Sequence, residues 1–139
     1  WLDLVQSLFD AYDGGHDTSC VVDGAGNIAE GPGFNVFVVK NGAVTTPARG
    51  VLMGISRQTV LELCARLGVP AQAGPVSQAD LRGADEVFIS STAGGVMPVS
   101  KVDGVALAGF PGPITQRLHA AYWAMHDEAG YRDPVDYSA

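Results

Sequence analysis

Apolar residues recur at helical spacing in three parts of the chain. The three sets are Leu2, Val5, Leu8, Phe9 and Tyr12; Val60, Leu63, Cys64 and Leu67; and Ile114, Leu118, Ala121, Tyr122 and Met125. Intervals of three and four residues place each set on one face of a helix. The turn at residues 13–15 ends the first helix, Gly68 ends the second, and Pro113 opens the third. Residues 77–80 hold a serine cap with an acid three positions on, which predicts a further short helix.

Short β-branched and aromatic runs between these helices predict strands. They cover residues 19–23, 28–30, 34–40, 43–46, 69–76, 86–90, 96–102 and 105–107. The run 34–40 is the strongest, and the Asn41-Gly42 pair that follows it is typical of a two-residue hairpin. Two prolines restrict the run 69–76 to an edge or a loop-like strand. Hairpin-linked strands with helices between them indicate a mixed α/β or α+β sheet domain.

Composition narrows the functional classes. A chain of 139 residues predicts one domain, and its net charge of −7 argues against a nucleic-acid surface. No apolar run is long enough for a membrane span. Two cysteines, Cys20 and Cys64, are too few for a disulfide framework and favour a reducing, cytoplasmic setting. The start at Trp1, without methionine, suggests a fragment, a cleaved product or the ordered part of a longer chain.

Three loops carry small residues where bulk is expected. The loop 30–35 sets Glu30 beside Gly-Pro-Gly, so the carboxylate is predicted to be fixed in position. At residues 54–56 a glycine turn leads to Ser56 as a helix N-cap, and such a helix start can bind phosphate. The loop 91–95 can form an anion-binding nest. Each loop also has an ordinary alternative: a turn with a chance acid, a capped helix, and a β-bulge or tight turn.

Taken in order, residues 30–35, 46–57 and 92–98 resemble the C-terminal half of fold-type IV pyridoxal-phosphate-dependent aminotransferases. That class includes branched-chain aminotransferases and D-amino-acid transaminases. Residues 92–98 and 122–126 are most similar to those of (R)-selective amine transaminases. The resemblance covers residues 1–139 and implies a C-terminal cofactor-binding domain with a mixed sheet or pseudo-barrel flanked by helices. It also implies a homodimer and an N-terminal domain that this chain lacks.

The resemblance assigns roles to definite positions. Glu30 matches the acid that pairs with the pyridine nitrogen of pyridoxal 5′-phosphate, which keeps the ring an electron sink. The residues implied to hold the phosphate are Gly54, Ile55, Ser56 and Thr92. Many relatives have threonine at position 56, so the hydroxyl is retained. The residues implied to line the substrate pocket, where size decides which substituent fits, are Trp1, Ala93, Gly94 and Gly95.

The family's Schiff-base lysine is expected a few residues upstream of Trp1. Neither lysine of the chain is expected to replace it, since Lys40 and Lys101 each precede a hairpin turn. No catalytic residue is therefore predicted within the chain, which alone is expected to be inactive. The arginine that completes the family's phosphate site is also expected in the N-terminal half.

Other polar residues do not compete with this assignment. Arg57 is interpreted as helix-opening scaffold. His119 and His126 lie seven residues apart, too far for one metal ion on a helix, and no metal site is predicted.

The parent enzyme implied by the resemblance transfers an amino group between a primary amine or amino acid and a keto acid or ketone. Two alternatives remain open. The first is another reaction on the same site, that of a D-amino-acid or branched-chain aminotransferase or an aminodeoxychorismate-lyase-like enzyme. The second is a non-catalytic dimerising module whose loops are inherited but idle.

Overall fold

Four helices and eight strands form the computed structural model, which describes residues 1–138. The helices are α1 (Leu2–Asp13), α2 (Ile55–Arg66), α3 (Gln78–Arg82) and α4 (Pro113–Met125). The strands are β1 (Glu30–Gly31), β2 (Phe34–Lys40), β3 (Ala43–Pro47), β4 (Ala71–Gly74), β5 (Glu86–Ser91), β6 (Gly95–Pro98), β7 (Lys101–Val102) and β8 (Val105–Ala106). The main sheet has the order β4-β3-β2-β5-β6, and β1 pairs with the start of β2. β3 and β4 are parallel while the other pairs are antiparallel, which confirms the predicted mixed sheet.

Strand β2 is central because its β-branched and aromatic residues bury both faces of the sheet. Its bounds are those predicted, and its hairpin partner β3 follows the turn at residues 41–42. Asn41 and Gly42 have φ values of 49° and 79°. Two successive positive φ angles are those of a type I′ turn, whose twist matches that of the strands it joins.

One face of the sheet packs against α2 and α4 and forms the larger core. Phe37 and Phe88 stack there with ring centroids 4.6 Å apart. The helical residues buried against this face are Val60, Leu63, Cys64, Leu118, Tyr122 and Met125. Both predicted apolar helix faces are thereby confirmed, and each helix lies across the sheet because its stripe must be removed from water.

The predicted helix α1 is present, but most of its apolar face is exposed. Leu2, Phe9 and Tyr12 are 78%, 61% and 55% exposed, whereas the buried residues of α1 are Leu4 and Ala11. Helical spacing identifies an apolar stripe but does not say what covers it, and no described residue covers this one fully. Neither α1 nor another helix within residues 1–138 is long and apolar enough to cross a membrane.

Four predicted strands differ from the structure. The run 28–30 overlaps β1 (Glu30–Gly31) only at Glu30. Residues 19–23 form no strand but an isolated bridge between Val22 and Ile28, and Val21 exchanges backbone hydrogen bonds with Ala29 and Glu30. The Asp23 carboxylate accepts hydrogen bonds from Ala25 N and Asn27 N in the loop between them. The run 69–76 contracts to the edge strand β4. The run 96–102 is split into β6, which pairs with β5, and β7, which pairs with β8 in a separate two-stranded sheet.

Helix α4 begins on a buried carboxylate that belongs to β5. Glu86 Oε2 accepts hydrogen bonds of 2.7 Å from Thr115 N and from Thr115 Oγ1, and Oε1 accepts one of 3.1 Å from Ile114 N. A Cβ on Gly112 would overlap the Glu86 side chain, and Gly112 has φ of 62°. Glu86 therefore caps α4 across the sheet and holds the helix in register with β5.

Candidate functional site

The three small-residue loops meet at one end of the sheet. Gly54 lies so close to Asn35 that a Cβ on Gly54 would overlap Asn35 Oδ1. Ser56 Oγ is 3.2 Å from Tyr122 Oη, and a Cβ on Gly95 would come within 2.8 Å of the Tyr122 ring. These contacts connect the loop after β1, the start of α2 and the β5–β6 turn.

The carboxylate of Glu30 is oriented by two donors. Leu52 N donates to Oε2 at 2.7 Å and Asn35 Nδ2 donates to the same oxygen at 3.3 Å. Asn35 Nδ2 also donates to Leu52 O at 3.0 Å, which fastens the loop to β2. Within residues 1–138 no hydrogen bond reaches Oε1. Glu30 is therefore a fixed, half-exposed acid with one oxygen available, which confirms that the loop holds it in place.

Gly31 explains why this loop needs glycine. A Cβ on Gly31 would lie 2.6 Å from Ser19 O and would overlap the Phe34 ring. The close approach lets the turn at residues 32–33 join β1 to β2 as a tight hairpin. The predicted interruption of the strand is thus the hairpin turn that places Glu30 beside Asn35.

The first turn of α2, residues 54–57, is called here the anion seat. Its N-cap is Gly54, with φ −63° and ψ 141°, and not Ser56 as predicted. Ser56 is the second helical residue, and no side chain of the described residues caps the helix. The N–H groups of Ile55, Ser56 and Arg57 consequently have no acceptor within the helix, and the positive end of the dipole adds to their attraction for an anion.

Arg57 stands at the third position of α2 as a buried cation. It is 1% exposed, and its Nη2 donates to Pro47 O at 2.9 Å. Its Nε is buried without a partner among the described residues, and burial lowers the pKa of the guanidinium. Arg57 ties the end of β3 to α2, as expected of scaffold, and forms no ion pair within residues 1–138.

The β5–β6 turn presents Thr92 and Ala93 to solvent. Ser91 Oγ accepts a hydrogen bond of 3.1 Å from Gly94 N, and Gly95 has φ of 63°. The loop is therefore a tight turn, and its capacity to bind an anion remains a prediction. Nearby on β5, Ser90 Oγ is buried with no hydrogen-bond partner in the described chain, which leaves one polar group at this end of the sheet unsatisfied.

Two residues considered for the site, Trp1 and Lys40, lie apart from this cluster. Trp1 is 81% exposed, and no hydrogen bond of the described residues links its side chain to the loops, so its pocket role stays a prediction. Lys40 Nζ bonds Gly83 O at 2.6 Å and Asp85 Oδ1 at 2.8 Å. Lys40 is five residues from Asn35 along β2, about 17 Å away. Within residues 1–138 no three His, Cys, Asp or Glu side chains are grouped to hold a metal.

Two members of the cluster, Asn35 and Tyr122, are not among the predicted site residues. Asn35 is 5% exposed inside a β-branched run, where asparagine is disfavoured unless its amide is needed. Tyr122 lies on the apolar face of α4, where a buried phenol requires a hydrogen-bond partner. Both oddities are visible in the sequence, but neither identifies its partner.

The chain is similar in sequence and in structure to known aminotransferases. Residues 1–102 match the family model described as amino-transferase class IV. The chain is 35% identical over 130 residues to the "Probable branched-chain-amino-acid aminotransferase" of Synechocystis sp., covering 91% of this chain and 42% of that protein. The branched-chain amino acid aminotransferase of Escherichia coli superposes with a TM-score of 0.90 at 33% identity, covering 97% of this chain and 47% of that one.

A further structure, a T.th. branched-chain amino acid aminotransferase with pyridoxamine 5′-phosphate, has a TM-score of 0.83 at 31% identity. The match covers 94% of this chain and 43% of that one. The chain thus spans less than half the length of each of these relatives. Since the family model matches most of its residues, the chain belongs to the class IV aminotransferases.

Proposed function

We propose that residues 1–139 are the C-terminal, cofactor-holding domain of a longer pyridoxal-phosphate-dependent aminotransferase, called the longer enzyme below. The longer enzyme transfers an amino group between a primary amine or amino acid and a keto acid or ketone. The observation that carries this proposal is the oriented Glu30 carboxylate, with one oxygen available, at the same sheet end as the uncapped anion seat. The pyridoxamine 5′-phosphate complex of the T.th. relative supports the same cofactor.

The residues of the cluster fit the cofactor's chemistry. The N–H groups of Ile55 and Ser56, with the hydroxyls of Ser56 and Thr92, would hold the phosphate at the helix start. Glu30 Oε1 would accept a hydrogen bond from the protonated pyridine nitrogen. The negative charge of the carboxylate would raise the pKa of that nitrogen. When bound, pyridoxal phosphate supplies an electron sink for carbanion charge at the substrate carbon.

The substrate side of the site would be bounded by small residues. Ala93 is exposed at the turn, and a Cβ on Gly94 would overlap the Met97 side chain. Gly95 is backed by the Tyr122 ring, so no larger residue fits there either. This wall would be formed by backbone with the Met97 and Tyr122 side chains behind it, and Trp1 would limit the pocket from another side if the N-terminal half brings it close.

Among substrates we favour chiral primary amines, because residues 92–98 and 122–126 resemble those of (R)-selective amine transaminases. Branched-chain amino acids are the second candidate, favoured by the names of the relatives in sequence and structure. The deciding experiment assays the longer enzyme with both enantiomers of one chiral amine, one D-amino acid and L-leucine. Selective turnover of the (R)-amine supports the first substrate, turnover of L-leucine alone supports the second, and no turnover with any contradicts the enzyme assignment.

The assembly and setting of the longer enzyme are part of the proposal. We place it in the cytoplasm as a homodimer, with the N-terminal domain supplying the Schiff-base lysine. Two unpaired thiols, Cys20 and Cys64, support a reducing compartment.

The 139-residue chain alone is expected to bind pyridoxal phosphate only weakly and reversibly. Hydrogen bonds at the anion seat remain, each about 1.5–3 kcal/mol when charge-assisted, but ordering costs offset them. Lys40 is held by Asp85 at the other end of β2 and cannot take the place of the missing lysine. Borohydride reduction followed by peptide mapping checks this, and a stoichiometric adduct on Lys40 or Lys101 would contradict it.

The 139-residue chain is also expected to associate into dimers or larger species. Leu2, Phe9 and Tyr12 form an exposed apolar stripe on α1, and such surface tends to be covered. Light scattering across a concentration series measures the association, with Phe9→Asp expected to reduce it and Glu62→Gln, on the exposed side of α2, expected to leave it unchanged. A clean monomer at high concentration would show that the stripe does not drive association.

A further inference from the structure

One buried hydroxyl pair connects α4 to the anion seat. Ser56 Oγ and Tyr122 Oη are 3.2 Å apart and belong to residues 66 positions apart in the chain. Ser56 is 6% exposed and Tyr122 is 8% exposed. Neither hydroxyl has a second partner among the described residues. The pair is therefore largely shielded from water and lies at the edge of the anion seat.

An anion in the seat would fix the direction of the protons in this pair. A hydroxyl that donates to one acceptor can accept from another donor, and a phosphate dianion can only accept. Ser56 O–H would then donate to the anion, while Tyr122 O–H donates to Ser56 Oγ. Hydrogen bonds in such a chain polarise one another, so the Tyr122 hydroxyl strengthens the bond that Ser56 makes.

The ring of Tyr122 supports a second wall of the same site. Gly95 is buried with φ of 63°, and the ring lies so close that a Cβ there would stand 2.8 Å from two ring carbons. Trp123 packs edge-on against Tyr122, with centroids 5.7 Å apart, and helps to hold that ring. Since Gly95 ends the β5–β6 turn, one side chain contacts both the anion seat and the loop that bears Thr92.

From these contacts we infer that Tyr122 is a positioning residue for the phosphate group of the ligand. Its hydroxyl orients the Ser56 hydroxyl as a donor. Its ring, packed against Gly95, fixes the position of the turn that carries Thr92. The inference rests on the proposed function and adds to it a residue outside the phosphate-binding loops. It predicts that Tyr122 raises the affinity for a ligand that bears a phosphate and does not contribute to binding of the rest of the ligand.

The test uses the apo form of the longer enzyme and two ligands that differ by the phosphate, pyridoxamine 5′-phosphate and pyridoxamine. Dissociation constants are measured for the parent, Tyr122→Phe, Ser56→Ala and the double variant. Tyr122→Phe is expected to weaken pyridoxamine 5′-phosphate about 3- to 10-fold, the loss of one hydrogen bond, and to leave pyridoxamine unchanged. In the Ser56→Ala background the same substitution is expected to have no further effect, because the coupled partner is gone.

Tyr137→Phe serves as the matched control, since it removes the same hydroxyl from a tyrosine that is 89% exposed. It should show no phosphate-selective loss, and Ser56→Thr, which keeps a hydroxyl, should retain the parental affinity. Equal losses for both ligands in Tyr122→Phe, or additive losses in the double variant, would overturn the inference. A parent that binds neither ligand would instead overturn the proposed function.

A measurement on the unaltered side chain covers the case in which Tyr122→Phe fails to fold. Tyrosine labelled with ¹³C at Cζ reports on the phenol, and inorganic phosphate serves as the probe. The Tyr122 signal is expected to shift on phosphate addition in the parent and to stay in place in Ser56→Ala. A shift of equal size in both proteins would contradict the coupling.

Discussion

Replacing Glu30 by glutamine in the longer enzyme is expected to slow turnover by about 10²-fold, the usual scale for losing one preorganised electrostatic partner, while the cofactor stays bound. The substitution keeps the shape of the side chain. Leu52 N and Asn35 Nδ2 can still donate to a glutamine oxygen, so the loop should retain its form. The amide nitrogen of glutamine then occupies the position of Oε1. An amide nitrogen is a donor, so it cannot accept a hydrogen bond from the protonated pyridine nitrogen.

The affinity for the cofactor should fall much less than the rate. One charge-assisted hydrogen bond is lost, about 1–3 kcal/mol, while the phosphate contacts and the lysine of the N-terminal half remain. Turnover depends on the ring nitrogen staying protonated, so removal of the α-proton from the substrate becomes the slow step. The cofactor occupancy, measured by absorbance, is expected to stay unchanged. Single turnover is expected to be slow and to show an enlarged isotope effect with an α-deuterated amine.

Glu62→Gln is the matched control for this experiment. It makes the same chemical change on the exposed side of α2. There Glu62 Oε1 accepts a hydrogen bond only from Gln58 Nε2 among the described residues. Its turnover should equal that of the parent. If Glu30→Gln also turns over at the parental rate, Glu30 is only a turn residue and the proposed site is wrong.

Replacing Glu86 by alanine is expected to lower the free energy of unfolding of the chain by about 2–4 kcal/mol, because three hydrogen bonds to one carboxylate would be lost. Buried donors of Ile114 and Thr115 would be left without acceptors. The start of α4 would also lose its carboxylate cap, and Gly112 offers no side chain to replace it. Urea unfolding followed by circular dichroism measures the change.

Two variants separate the capping role from a general effect of charge. Glu86→Gln keeps one acceptor oxygen and should recover about half of the lost stability. Glu128→Ala removes an exposed carboxylate paired with Arg66 and should cost less than about 1 kcal/mol. If Glu86→Ala is as mild as Glu128→Ala, α4 does not depend on this contact.

Much of the fold follows from local chemistry that the sequence displays. Strand β2 has the predicted bounds because its β-branched residues and the Asn41-Gly42 turn favour the same hairpin. The serine cap of α3 is a complete capping box with Asp80. Gly68 ends α2 with φ of 67°, as expected of a glycine after a helix.

The parts that escape prediction depend on residues distant in the chain. The contact of Glu86 with Thr115 joins positions 29 apart, and that of Ser56 with Tyr122 joins positions 66 apart. Serine favours the N-cap position, which is why the sequence predicts Ser56 there, but the helix has Gly54 as its N-cap. The approach of Asn35, 19 positions earlier in the chain, admits only glycine at position 54.

The position of α2 in the topology has a thermodynamic consequence. The helix is the crossover between β3 and β4, the one parallel pair within the part of the chain that the structure describes. A ligand gripped by the first turn of α2 binds the assembled β3–α2–β4 unit and not the unfolded chain. Mass action then adds about 2.7 kcal/mol of stability at a ligand concentration of 100 Kd. Phosphate-bearing ligand would therefore raise the free energy of unfolding of the domain that binds it.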